Sequence, residues 1–553
     1  MNLKQLVEQR AVEASGEIGY RFLPNDRDEL CLTYGQLFRR VQQLASDIKC
    51  HIPAGQRVLL IYPAGLEFIC AFYACVLADV VAVPLPLPKA DDKMQRLAHV
   101  IRDCAPAAIL SQTATLDQVR ALLPDPMQAT VVATDIAFEC EQTIVSPCKA
   151  DLEVAFLQYT SGSTGNPKGV IVSHDNLLAN LKQIERAFGH TRDSSGVIWL
   201  PHYHDMGLIG GILQPLFVGF PVTLFSPISF VQRPLRWLQA IHKYRSTTSG
   251  GPNFAYDLCL AKADSAKSLG LDLSSWAVAF IGAEPVKADT LDTFAAAFSD
   301  AGFRRSAFVP CYGLAEATLL VASANRERPA EIIEPTDARI SRTQRFALTA
   351  KDSLVSSGVA AEGTDVRIAR IDSDDLSEDG EVGEIVVRSP SVSSGYWNRR
   401  TDAPHGGHPL SIRTGDLGFL LDSQLFVTGR LVDLIVIRGR NIFPEDIEAT
   451  AEQAEQRLAH ECAVAFCVEG DSGEEVVLVQ EISARTLRSV DLRETRELVS
   501  HLVLQHHGVC LSDFVPVKTG SLARTSSGKI SRSATRQLYM ARKLRPLTTS
   551  KLD

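Results

Sequence analysis

Short β-branched runs alternate with helix-period segments through most of the chain, which predicts an α/β architecture with a predominantly parallel sheet. The clearest unit runs from Val58 to Val83: a strand over Val58–Tyr62, a helix over Leu66–Leu77 and a strand over Val80–Val83. This stretch is apolar and long enough to cross a bilayer. However, Pro63, Gly65, Glu67 and Asp79 interrupt it and Pro84, Pro86 and Pro88 end it, so a core α/β unit is the simpler reading and no membrane span is expected. Thr33–Tyr34–Gly35–Gln36 offers a capping-box start for an early helix. Val154–Ala155–Phe156–Leu157 reads as a buried strand, and Ala307–Pro310 as another apolar run.

After a strand over Gln424–Thr428 the pattern changes to α+β. A helix is expected over Pro444–His460, a hairpin over Ala463–Glu469 and Glu475–Ile482, a helix over Asp491–His507, and a basic, solvated tail from Met540. A boundary at Gly429–Arg430 divides the chain into residues 1–429 and 430–553. The expected fold is thus a large N-terminal lobe of mixed and parallel sheets with helices, plus a small α+β C-terminal lobe.

A chain of 553 residues is too long for one core, which agrees with two lobes. The net charge of −9 argues against a general nucleic-acid binder. The 12 cysteines are scattered, without a C-x-x-C pair, and no secretory leader follows Met1; reduced thiols in a cytoplasmic protein are expected.

The densest chemistry lies in Tyr159–Thr160–Ser161–Gly162–Ser163–Thr164–Gly165–Asn166–Pro167–Lys168–Gly169. Glycines let backbone N–H groups converge on an anion, serine and threonine add donors, and Lys168 adds positive charge. The string is not G-x-x-x-x-G-K-[ST], since Pro167 precedes and Gly169 follows the lysine, so Lys168 does not open a helix. From residue types alone it is either a polyphosphate cradle or a polar turn between strands. Further along, Trp199–Leu200–Pro201–His202–Tyr203–His204–Asp205–Met206–Gly207–Leu208 sets imidazoles beside a carboxylate, for acid–base work or as a hydrogen-bonded pocket wall. Ser249–Gly250–Gly251–Pro252–Asn253 allows close backbone approach, or is a strand-to-helix turn. Phe280–Ile281–Gly282–Ala283–Glu284–Pro285 ends a buried strand.

In Cys311–Tyr312–Gly313–Leu314–Ala315–Glu316 an aromatic ring offers a stacking face, and a carboxylate could hold Mg²⁺ between phosphate oxygens or simply be solvated. Asp416 in Arg413–Thr414–Gly415–Asp416 is an acceptor suited to two ribose hydroxyls. Arg430 is available for ribose or phosphate, and Lys529 in Thr525–Ser526–Ser527–Gly528–Lys529 is a lysine on a glycine-serine loop.

These strings, in this order from Tyr159 to Lys529, resemble the core motifs of the acyl-adenylate-forming superfamily of acyl-CoA synthetases, nonribosomal peptide adenylation domains and luciferases. The continuation of the Trp199 string through Ile209–Gly210–Gly211–Ile212–Leu213, and Ser249–Tyr256, resemble the fatty acyl-AMP ligase branch. The resemblance implies an N-terminal AMP-binding domain and a C-terminal mobile lid, with ATP as substrate and Mg²⁺ as cofactor. It implies nucleotide contacts at Thr160, Ser161, Gly162, Ser163, Thr164, Gly165, Lys168, His204, Asp205, Gly282, Ala283, Glu284, Tyr312, Gly313, Asp416, Arg430 and Lys529. Glu316 would hold the metal, and Lys529, Glu316 and Lys168 would be catalytic. One departure is Val432, where relatives usually carry a polar or charged hinge residue.

The branch implies ATP-dependent conversion of a medium- or long-chain fatty acid to acyl-AMP and pyrophosphate. Transfer to the phosphopantetheine thiol of an acyl carrier protein, or of a carrier domain of a polyketide or nonribosomal peptide synthase, would follow. The discriminating segment is Ala322 to Val355, about fifteen to twenty residues longer than in a typical acyl-CoA synthetase and long by loop standards. Fatty acyl-AMP ligases carry an insertion there that packs on the large lobe and hinders thioester formation with coenzyme A. The alternatives are a long-chain acyl-CoA synthetase and a nonenzymatic acyl- or nucleotide-binding homologue.

Overall fold

The computed structural model describes residues 2–87, 91–121, 123, 130–135, 153–160, 167–326, 329–334, 336–340, 353–371, 373, 375–399, 411–437, 440–454, 458, 462–470, 473–525 and 529–547. Close contacts group the chain into two units. The first comprises Met1–Ala330, Ser357–Val366 and Val387–Arg413; the second comprises Glu331–Ser356, Arg367–Val386 and Thr414–Asp553.

The Val58–Val83 stretch folds as its pattern predicts: strand Arg57–Ile61, helix Leu66–Leu77 and strand Val81–Leu85, with the two strands parallel. The helix is buried nearly all round, which explains why its sequence lacks a polar face. Among the described residues, no helix is long and apolar enough to cross a membrane. The early helix Tyr34–His51 begins with the expected box: Thr33 accepts from the Gln36 amide and Gln36 reaches back to the Thr33 amide.

Two sheets organise the first unit. One runs Thr130–Ala133, Ala108–Ser111, Arg57–Ile61, Val81–Leu85, Val154–Thr160, Lys168–Ser173 and is parallel except for its last pair. The other is centred on the parallel strands Phe308–Gly313, Val278–Gly282, Thr248–Gly251, Gly196–Ile198, Val222–Leu224 and Ile18–Phe22, with antiparallel strands at both edges. Central parallel strands need both faces covered. An aromatic cluster supplies part of that cover: Trp237 and Trp276 are fully buried with centroids 5.2 Å apart, and Tyr256 stacks on Trp276.

In the second unit the C-terminal module is α+β as expected. Ala463–Gly470 and Gly473–Ile482 form the antiparallel hairpin, and Leu511–Lys518 adds a parallel third strand through the helix Leu492–His507. Asp491 caps that helix. The first helix of the module is described over Pro444–Ala454; His460, its expected end, lies outside the described residues. The described tail is mostly exposed, as its charge suggested, with two apolar anchors. Leu544 and Leu547 pack on buried residues, and the Leu547 amide donates to the Pro516 carbonyl at 2.7 Å. A four-stranded sheet, Asp365–Ala369, Gly383–Arg388, Ser411–Leu421 and Gln424–Arg430, precedes the module; its last strand runs through Gly429–Arg430.

Two histidines are enclosed in the first unit. His190 lies among Phe188 and Phe220 with Thr248 Oγ1 at 3.2 Å, and His202 lies 4.2 Å from the Phe68 ring. Burial pushes their pKa values down to about 3 and about 4. The unfolded chain therefore binds more protons than the folded one as pH falls from the ordinary histidine value of about 6.5 toward 4, so acid destabilises the fold across that window. Each buried imidazole is expected to cost on the order of 2 kcal/mol at pH 5 relative to pH 7. His202→Leu should accordingly show a smaller fall in melting temperature between pH 7 and pH 5 than the parent; an equal fall would remove His202 from the account.

Candidate active site

The two strands that flank the glycine-serine loop pair antiparallel, with Thr160 opposite Lys168. Ser161, Gly162, Ser163, Thr164 and Gly165 lie outside the described residues. Lys168 opens a strand, not a helix, as the Pro167–Gly169 context predicts. Its Nζ stands 4.9 Å from the centroid of the Tyr396 ring. The Tyr396 hydroxyl donates to Glu316 Oε1 at 2.8 Å. Thus Lys168 and Glu316, far apart in sequence, share one aromatic neighbour that the motifs did not single out.

Glu316 is held from several sides. It lies in the 3₁₀ turn Ala315–Ala317, directly after the strand Phe308–Gly313 that carries the buried Tyr312. Its carbonyl accepts from the Ser393 amide at 2.8 Å. Thr318 follows with φ 70° and ψ −64°, and the Leu319 amide bonds the Ala317 carbonyl at 2.9 Å, which makes a γ-turn centred on a β-branched residue. This is strained backbone. The buried Thr318 hydroxyl, donating to the Ser391 carbonyl at 2.6 Å, helps to hold it.

His204 and Asp205 sit together at the mouth of the π-helix Met206–Leu213, their Nδ1 and Oδ1 atoms 2.5 Å apart, and Asp205 also accepts from the Met206 amide at 2.7 Å. Distortions of this helical type concentrate at functional sites. Gly282, Ala283 and Glu284 leave the strand Val278–Gly282, with Ala283 at φ 69°, a conformation that costs a non-glycine residue energy. Glu284 Oε1 accepts from the Asn253 amide at 2.8 Å and from Asn253 Nδ2 at 3.0 Å. Its carboxylate therefore locks the Ser249–Asn253 turn, which is a strand-to-helix turn between Thr248–Gly251 and Asn253–Leu260.

In the second unit Asp416 and Arg430 face each other across antiparallel strands. Arg430 Nε is 3.0 Å from Asp416 Oδ1, and Asp416 is buried while Arg430 is largely exposed. The Leu431–Asp433 segment is a 3₁₀ turn with Val432 well exposed. Lys529 closes a short loop: its carbonyl accepts from the Thr525 amide at 2.7 Å, and Arg524 bridges Ile530. Three residues on, Arg532 binds Asp433, Glu445 and Glu448 at 3.0, 3.0 and 2.8 Å.

The chemistry of the donor set fits a magnesium ion shared with substrate. Among the described residues no group of three or more acidic, histidine or cysteine side chains could hold a metal alone. Mg²⁺ is commonly bound by one or two carboxylates plus phosphate oxygens, and Glu316, oriented by a hydroxyl, suits that role.

The sequence profile of the AMP-binding enzymes matches residues 13–397, and that of the AMP domain of Disco-interacting protein 2-like proteins matches 432–549. The chain belongs to the AMP-binding enzyme family. It is 36% identical over 561 residues to the medium-chain-fatty-acid–[acyl-carrier-protein] ligase JamA of Moorena producens, covering 97% of this chain and 95% of that protein. A solved structure from work on fatty acyl-adenylate ligases of E. coli and L. pneumophila superposes with a TM-score of 0.86 at 32% identity, covering 98% of each chain. The L. pneumophila fatty acyl-adenylate ligase in complex with acyl adenylate and pyrophosphate matches with a TM-score of 0.72 at 35% identity, covering 98% and 96%. The resemblance to fatty acyl-AMP ligases that the long Trp199–Leu213 string carries is borne out by these relatives, as is the expected α/β plus α+β fold.

The turn that bears Glu316 tolerates no extra carbon at its start, since a Cβ on Gly313 would lie 1.8 Å from the Leu319 carbonyl oxygen. Gly313→Ala is expected to destabilise the protein by about 1–3 kcal/mol and to speed hydrogen exchange of the Leu314 amide, which bonds that same carbonyl. A variant with parental melting and exchange would show that the turn is not so constrained.

Proposed function

We propose that this protein activates a medium- or long-chain fatty acid with ATP and delivers the acyl group to the phosphopantetheine thiol of a carrier protein. The observation that carries the proposal is the placement of Lys168 and Glu316 about one tyrosine, beside a loop whose two ends are paired strands. The names of relatives similar along their whole length, a fatty-acid–[acyl-carrier-protein] ligase and an acyl-adenylate ligase, support it.

In the first half-reaction a carboxylate oxygen of the acid attacks the α-phosphorus of ATP. The P–O bond to the bridging oxygen breaks, and pyrophosphate leaves with that oxygen. No side-chain nucleophile is needed, so catalysis is alignment and charge neutralisation. Lys168 and the donors from Thr160 to Gly165 take the β- and γ-phosphates. Tyr312 stacks on adenine near Gly282, Ala283 and Gly313. Asp416 accepts from the ribose hydroxyls, with Arg430 beside it. His204 and Asp205 line the site. Glu316 would hold Mg²⁺, which when bound neutralises phosphate charge. Lys529 binds the carboxylate and the bridging oxygen. In the second half-reaction the carrier thiolate attacks the acyl carbonyl, a C–S bond forms and AMP departs. We assign residues 1–429 to the adenylation domain and 430–553 to a mobile lid turning at Leu431–Asp433.

Carrier protein is favoured over coenzyme A by the long segment after the Glu316 turn. Its strands Ile332–Ile333 and Leu354–Val355 pair, and Ile333 and Ile340 are buried with Leu417, Phe419, Leu421 and Phe426. That core, which also includes Phe443, anchors the insertion on the strands Ser411–Leu421 and Gln424–Arg430. Ser341 and Arg342 lie outside the described residues.

Incubation with ATP, Mg²⁺ and a panel of fatty acids, followed by coenzyme A, should accumulate acyl-AMP with little acyl-CoA by mass spectrometry; abundant acyl-CoA would overturn the carrier reading while leaving adenylation intact. Lys529→Ala should lower the rate of pyrophosphate release about 100-fold or more, the scale expected for losing a charge-stabilising donor. An unchanged rate would reject its catalytic role.

A further inference from the structure

We propose that Tyr396 is a positioning residue for nucleotide activation: it orients the Glu316 carboxylate for the metal and holds the Lys168 ammonium ready for phosphate. The inference rests on the adenylation reading above.

Tyr396 is fixed on both sides by backbone. It pairs with Val170 as an isolated bridge, the Ile171 amide donates to the Gly395 carbonyl at 3.0 Å, and the Trp397 amide donates to the Gly169 carbonyl at 2.7 Å. The Gly395–Trp397 segment thus lies as a short extra strand along Gly169–Ile171, immediately after Lys168. The same stretch of chain is tied to the Glu316 turn by the Ser393 amide, which donates to the Glu316 carbonyl at 2.8 Å, and by the bond from Thr318 to Ser391. Asn176 Nδ2 anchors it further, donating to the Pro390 and Val392 carbonyls at 2.9 Å each.

With the backbone so held, two contacts of the side chain matter here. Its hydroxyl donates to Glu316 Oε1, and its ring receives the Lys168 ammonium. A hydrogen bond to one oxygen of a metal-ligating carboxylate orients that group; losing such outer partners typically costs about 10–100-fold in metal affinity or activity. A cation over an aromatic face is held only weakly at a part-exposed site, so a phosphate oxygen can draw the lysine away at little cost.

The two contacts can be separated by substitution. Tyr396→Phe keeps the ring and removes the hydroxyl; Tyr396→Leu removes both. ATP affinity is measured by calorimetry with EDTA and with Mg²⁺, and pyrophosphate release is measured across a Mg²⁺ titration. Tyr396→Phe should bind ATP like the parent in EDTA but lose about tenfold of the affinity gained on adding Mg²⁺. The Mg²⁺ concentration giving half-maximal rate should rise by the same factor. Tyr396→Leu should also weaken ATP binding in EDTA. A Tyr396→Phe enzyme with the parental Mg²⁺ response would overturn the proposal, as would a loss of rate that is uniform at every Mg²⁺ concentration, the mark of a merely structural role. If the parent forms no acyl-AMP with any acid, the adenylation reading fails instead, and the calorimetric comparison still judges Tyr396.

Discussion

The pairing of Thr160 with Lys168 holds both ends of the glycine-serine loop in register, and the arrangement around Lys168 depends on that constraint. A slip of one residue in either strand would turn every side chain to the opposite face and carry Lys168 away from Tyr396. The second strand is also pinned on its other edge by Gly395–Trp397, so a slip would break two sets of backbone bonds at once. The Glu316 turn is tied to the same segment through Ser393 and Tyr396. The position of the carboxylate relative to the lysine therefore follows from backbone pairing, with no need for the two charges to touch.

The second unit solves a similar problem with buried charge. Burial works against the Arg532 cation, but Glu448, Glu445 and Asp433 around it more than offset that and hold its pKa above the ordinary arginine range. Burial also raises the Glu445 pKa, against the pull of Arg532. Removing one partner from such a cluster leaves the others uncompensated, so the group acts as a clamp more than as a source of net stability. It joins the Leu431–Asp433 turn to the start of the helix Arg532–Met540. Lys529 lies three residues ahead of the first residue of that helix.

Local signals were legible where one element decides its own form. The Thr33–Gln36 box, the buried helix Leu66–Leu77, the C-terminal hairpin and the helix ending at His507 all follow from residues within a few positions of each other. The strand Leu511–Lys518 was not read, because Asp513 and Pro516 break its apolar pattern; it forms by pairing with a strand supplied from earlier in the chain. Likewise, motif reasoning reached Lys168 and Glu316 through their neighbours in sequence, but Tyr396 is 80 residues from Glu316 and its Gly-Tyr-Trp context carries no chemical signal of its own. Only long-range pairing brings it beside both of them. Glu284 likewise has a role that its own motif did not disclose, since its carboxylate bonds Asn253, 31 residues earlier.

The insertion after the Glu316 turn shows which kind of contact can hold a long surface segment. Arg339 reaches Glu331, Asp337 and Asp422, but all these side chains are partly or largely exposed. Exposed ion pairs are worth about 0–1 kcal/mol and weaken with salt. Burying an isoleucine contributes about 1.5–3 kcal/mol, and Ile333 and Ile340 are both buried against Leu417, Phe419 and Phe426. The strand pair Ile332–Ile333 with Leu354–Val355 closes the base of the excursion, which reduces the freedom that those two side chains must overcome. The anchoring is thus apolar and insensitive to salt.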